Sequence, residues 1–385
     1  MRGRTIRVGK VAGDLKVEHG DVLVPEGPEG IQVSGEVAFE GDAAVEGSLS
    51  CASLMLRRGA LQVQGDLTAS GRVESSHGSI RVARNLSARE VEVGRSLVVG
   101  GNLQADRAEL GGRLEVNGAT TVRTLEAGGS IDLRGPLEAE SIEVGGRIVL
   151  MGGKVQLQVE VGGILEVRGP LTFGSLEAGG KISLQGSAQG DRLEVGGALD
   201  AGGDLTLSRS LEVGGMGSVK GRLRCPQIEV GGLLRSDALE CGDIEVGGKL
   251  EVRKEILATR LEVGGKLTAD HGVAKERVDV GGSIETRGGL KAPRIDVGED
   301  SRVRGPLIGG TVTLDDEAEA EDIWGEEVRL ERKTVVRNIY ARDVDIGRKA
   351  RVDGVVQYTG RLNVDADARL ASPPQKVAQL PNAPL

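Results

Sequence analysis

The sequence predicts an all-β fold: a single-stranded parallel β-helix (β-solenoid) with three short strands in each repeating coil. Three observations predict it. A phrase of the type Leu-Glu-Val-Gly-Gly recurs along the chain. Apolar and polar residues alternate in short runs between the phrases. Glycine is abundant, with 62 residues, while aromatic residues number only five: Phe39, Phe173, Trp324, Tyr340 and Tyr358.

The repeat comes first, because a fixed period of about 17 residues signals a solenoid. With the first apolar residue of each phrase as an anchor, the series is Val91, Ala108, Leu125, Ile142, Val159, Leu176, Leu193, Leu211, Ile228, Ile244, Leu261, Val278, Ile295, Val312, Val328, Val344 and Leu362. Most steps are equal, and none departs from the common step by more than a single position. Upstream the signal decays, and Ile6, Val22, Val37, Leu54 and Val73 are read as its continuation.

Residues 125 to 141 show the finer pattern. Leu125-Glu-Ala127, Ile131-Asp-Leu133 and Leu137-Glu-Ala139 begin six residues apart, separated by Gly-Gly-Ser and Arg-Gly-Pro. Alternation marks a strand with one buried face, and Gly and Pro mark corners. The first Gly after the anchor phrase recurs thirteen times, from Gly94 to Gly298, and is read as serving bends that require positive φ. Strands this short need neighbours. Stacked coils supply them and enclose a continuous core. At about 4.8 Å per coil, some 22 coils are expected to form a rod roughly 100 Å long. A right-handed helix is preferred, since parallel crossovers have that hand. The six-residue spacing resembles left-handed hexapeptide helices, but the common step falls one short of three hexads.

Four segments follow. Residues 1–90 read as degenerate coils, 91–311 as regular coils, 312–371 as a C-terminal group and 372–385 as a Pro-rich flexible tail. The acidic run 315–322 keeps the coil spacing, so it belongs to a coil; it lacks the calcium-loop pattern.

The residue after each anchor is expected to point outward. In order these are Glu92, Glu109, Glu126, Glu143, Glu160, Glu177, Glu194, Glu212, Glu229, Glu245, Glu262, Asp279 and Asp296, a carboxylate in thirteen successive coils. Each neighbouring ionised pair costs roughly 0.9 kcal/mol in water at this spacing. Arg107, Arg192, Arg260, Arg277 and Arg294 stand one residue before an anchor, in position to offset part of the repulsion. The functional reading is a surface for divalent cations or a basic partner. The plainer one is a solubilising residue copied by duplication, with charge guarding against stray strand pairing.

No catalytic constellation emerges, and the chain is read as not an enzyme. His19, His77 and His271 project far apart along the coils, and no HxxxH or HExxH occurs. No P-loop is present, and the Gly-Gly pairs precede no helix that would bind phosphate. No cofactor is expected. Cys51, Cys225 and Cys241 form no CxxC pair and read as small buried hydrophobes. A net charge of −9 disfavours nucleic acid as a partner. The start, Met1-Arg2-Gly3-Arg4, is basic but short. No apolar run approaches the length of a membrane span or a signal peptide, so a cytoplasmic location is expected and membrane contact is not indicated.

The stretch from Val328 to Val356 resembles the bactofilins, polymer-forming cytoskeletal proteins. Asn338-Ile339-Tyr340-Ala341 and Val344-Asp-Ile-Gly347 carry the likeness best; it covers the C-terminal coils 312–371, and elsewhere it rests on the coil pattern. The resemblance implies a right-handed β-helix that polymerises end to end without nucleotide. This chain departs from the family in its greater length, in lacking an apolar N-terminal segment and in lacking an aromatic residue in its last coil. Physics points the same way, since an uncapped β-helix exposes unpaired strand edges at both ends. Ile6 and Val8 at one end, and Leu362, Val364 and Leu370 at the other, are the expected self-association residues. The readings left open are therefore a homopolymeric scaffold, a monomeric rod presenting its acidic face, and a carbohydrate-active or acyl-transfer β-helix enzyme.

Overall fold

In a computed structural model that describes residues 4–384, every regular element is a β-strand, and the strands pair in parallel from coil to coil. The chain divides into two units after Asp191. Each is a stack of β-solenoid coils.

In the first unit three faces are clear. The first carries the anchors, in register from Val91 through Ala108, Leu125, Ile142 and Val159 to Leu176. The second stacks Val82, Val99, Val116, Leu133, Leu150, Val167 and Leu184. The third stacks Leu49, Leu67, Leu86, Leu103, Thr120 and Leu137. Except for Thr120, these are aliphatic columns closed to solvent. Each Val or Leu so buried contributes about 1.5–3 kcal/mol, so the narrow core is held by many small side chains. Phe173 fits because its ring lies over Gly190: a Cβ at Gly190 would collide with that ring.

The corner glycines follow a different rule from the one expected. None of the glycines that follow the anchor phrase, from Gly94 to Gly298, is among those with positive φ, whereas Gly152 and Gly153 at another corner are, at 123° and 141°. Close approach selects glycine after the anchor phrase. A Cβ at Gly145 would sit 2.7 Å from the Gly128 carbonyl oxygen in the coil below, and one at Gly128 would sit 2.8 Å from that of Gly111. The chain crosses each corner against another backbone, leaving no room for a side chain.

The early coils also differ from expectation. Ile6 stacks on Leu23, which stacks on Val45, in the second-face column, and Val22 is only half-buried. The true upstream anchors are Leu15, Val37, Leu54 and Val73. The step from Leu15 to Val37 is longer than any later step between anchors, and that lengthened coil erases the period upstream.

In the second unit the anchors run in register from Leu211 through Ile228, Ile244, Leu261, Val278, Ile295, Val312, Val328 and Val344 to Leu362. Strands lengthen, and Met216–Val230, Lys266–Val280 and Ser283–Val297 each run through more than one face. After Gly298 one corner changes chemistry. Asp300, Glu317, Lys333 and Lys349 occupy it with φ between 54° and 59°. The acidic run lies at this corner, inside a coil, with Asp316 paired to Arg332 at 2.8 Å and Asp322 to Arg337.

The tail departs from the flexible segment expected. Gln375–Lys376 is a strand paired with Val356–Tyr358 one coil below, and Ser372 Oγ donates to the Gly354 carbonyl at 2.8 Å. Pro373 and Pro374 precede the strand, leaving the N–H groups of Gln375 and beyond free to pair.

Candidate functional site: the acidic column and the coil ends

In each unit the first face places the predicted carboxylates in an outward column. In the first unit Glu92, Glu109, Glu126, Glu143, Glu160 and Glu177 are register partners in turn. In the second, Glu212, Glu229, Glu245, Glu262, Asp279 and Asp296 follow the same rule, and Glu194 lies on the same face at the start of that unit. All are exposed or half-exposed. The column begins one coil earlier than the sequence reading placed it, since Glu74 is the partner of Glu92. The second unit's column ends at Asp296, whose partner is Thr313.

Arginines staple the column. Each sits two residues before a carboxylate and reaches that one and the next coil's. Arg72 joins Glu74 and Glu92. Arg107 lies 3.3 Å from Glu109 and 3.2 Å from Glu126. Arg192 lies 2.8 Å from Glu194 and 3.0 Å from Glu212. Arg277 lies 2.6 Å from Asp279 and 3.2 Å from Asp296. Of the other two predicted offsets, Arg260 turns to Asp243 instead, holding that carboxyl below its ordinary range, and Arg294 makes no ion pair with the column among the described residues. Glu143, Glu160 and Glu177 form a run with no ion pair among the described residues. Burial raises the Asp279 carboxyl, and Arg277 only partly offsets it.

A second polar column was not read from the sequence. Asp66 Oδ1 accepts from the Asn85 backbone N–H at 3.0 Å, Asn85 Oδ1 from that of Asn102 at 2.8 Å, and Asn102 Oδ1 from that of Ala119 at 2.8 Å. These side chains satisfy corner N–H groups that the strand ladder leaves over. The signal was present in the step from Asn85 to Asn102, which equals that of the anchors.

The predicted end residues occupy terminal coils. Ile6 is half-buried and Val8 is buried, both in Thr5–Val8, where the Arg4 N–H donates to Asp21 Oδ1 at 2.9 Å. Leu362, Val364 and Leu370 are half-buried, whereas Val344 and Ile346, one coil below, are 3% and 1% exposed. The core therefore comes open at the last coil.

Two of the aromatic residues near this end, Trp324 and Tyr340, face away from the core. Ile308, Trp324 and Tyr340 stack in an outward column, with the two rings 4.9 Å apart and 26° from parallel. Among the described residues, no group of three or more His, Cys, Asp or Glu side chains is placed to hold a metal ion, and no helix is long and apolar enough to cross a membrane. Of the basic start, Met1, Arg2 and Gly3 lie outside the described residues. Comparison of the chain with protein-family models, curated proteins and solved structures finds no match in any of the three.

Proposed function

We propose that this chain is a non-catalytic structural subunit of the cytoplasm that assembles end to end with copies of itself, without nucleotide. The observation that carries this reading is the open last coil. Leu362, Val364 and Leu370 face inward yet remain half-exposed, directly above a closed core. Strand edges beside an open core favour pairing with another chain. The likeness of residues 328–356 to bactofilins supports the same assignment. The test is negative-stain electron microscopy across a concentration series without nucleotide. Concentration-dependent filaments that Val364→Asp abolishes are the expected result. Single particles at every concentration would overturn it.

A second reading is favoured by the unpaired run Glu143, Glu160 and Glu177. Three carboxylates in register with no countercharge suit a basic partner or divalent cations, with the chain as a monomeric scaffold. Glu160→Gln weakening retention on a polylysine surface would favour it.

A further inference from the structure

Residues 374–383 show an order that the strand pattern does not require. Pro374, Val377, Leu380 and Ala383 are half-buried, and every residue between them is exposed. A burial period of three means that one edge of the segment lies against a surface. After the strand Gln375–Lys376 the chain bends at Ala378 and Gln379. Val377 N–H donates to the Tyr358 carbonyl at 2.9 Å, and beyond it no backbone hydrogen bond of the segment appears among the described residues. The segment is moored at its start by the pairing of Gln375 and Lys376 with Gln357 and Tyr358. The Gln357 amide donates to Gln375 at 3.2 Å, and the Lys376 ammonium lies 6.0 Å from the centre of the Tyr358 ring.

The mooring strand lies on the last coil, which has no further coil over Leu362, Val364 and Leu370. We infer that residues 374–383 form a strap across this open end of the core, shielding those side chains and gating whatever stacks there. The composition suits the task. Val377 and Leu380 supply apolar cover. Pro381 has no N–H, so the strap covers the core without offering a continuous new edge for pairing. The gating role rests on the end-to-end reading; the closure itself does not.

The experiment uses the full chain with Val377→Asp and Leu380→Asp together, and Gln379→Asp as an exposed control of like charge. Circular dichroism checks that the coils remain folded. Hydrogen exchange then reads the amides of residues 356–371. With the strap lifted, they should exchange at least ~10-fold faster than in the parent or the control. Light scattering should show assembly beginning at a concentration lower by about the same factor. Unchanged exchange in the double variant would overturn the strap. Faster exchange with no assembly by either protein would leave the closure standing and sink the end-to-end reading instead. Faster exchange with an unaltered assembly threshold would remove the gate.

Discussion

The guanidinium of Arg277 lies between two carboxylates of one column, 2.6 Å from Asp279 on its own coil and 3.2 Å from Asp296 on the next. It is a staple between coils as well as a countercharge. Burial raises the Asp279 carboxyl above its ordinary 3.8, despite Arg277. A raised folded-state value means that the native protein holds this proton more tightly than the unfolded chain. The group therefore favours folding at low pH, and that contribution is lost as pH rises through the folded value. Arg277→Gln raises the value further. The variant should lose about 0.5–1 kcal/mol at neutral pH, kept small by the pair's exposure, and match the parent below the ordinary carboxylate range. Urea unfolding at both pH values checks this.

Gly190 is the only residue type that fits beneath the Phe173 ring. Gly190→Ala should destabilise the chain by about 1–3 kcal/mol through overpacking. Adding Phe173→Leu should recover part of the loss. A double-mutant cycle by chemical denaturation measures the coupling, and strictly additive effects would refute the contact.

Thr120 sits in the third-face column between Leu103 and Leu137, 1% exposed, and its hydroxyl has no hydrogen-bond partner. Thr120→Val keeps the shape and removes the unsatisfied group. A gain of about 1 kcal/mol is expected, read as a higher melting temperature; a loss would mean that the hydroxyl is satisfied in solution.

Lys349 holds φ at 59°, a conformation that costs a side-chain-bearing residue about 1–2 kcal/mol. Lys349→Gly should stabilise by about 0.5–1 kcal/mol once glycine's greater unfolded freedom is deducted. Lys349→Val should destabilise. Thermal unfolding of the pair gives the sign directly.

The three thiols should be quiet in the folded protein. Burial pushes Cys51 and Cys225 up to about 11; Cys241, only half-buried and so not the buried residue expected, is pushed to about 12 by desolvation and by neighbouring Cys225. At pH 8 very little thiolate exists, and the thiolate is the reactive form. A thiol-disulfide reagent should label the native chain slowly and the urea-unfolded chain at the normal rate. Rapid native labelling would show that these coils open.

Much of this was legible in the sequence, because a solenoid writes its contacts at a fixed step. From Val91 to Leu362 the anchors stack as their spacing indicates within each unit. The failures have local physical causes. Ile6 and Val22 were assigned to the wrong column because one long coil, from Leu15 to Val37, breaks the count. Glu74 was missed for a related reason, since the step from it to Glu92 exceeds the common one in a region where the phrase is worn. The glycine corners were seen but explained by dihedral freedom, when the approach of the next backbone is what excludes a side chain. The tail was read from its prolines alone, and composition does not reveal that Gln375 and Lys376 pair with the strand of the coil below.

The Gly-Gly corners have one more consequence. Because each corner is fitted to the backbone of the coil beneath it, and to little else, a coil can be copied or excised without disturbing distant ones. Each stack behaves like a ruler whose graduations are interchangeable. Duplicating a single repeat in the regular stretch should lengthen its stack by one graduation and leave the chemistry of the ends unaltered, so length can be tuned independently of the ends.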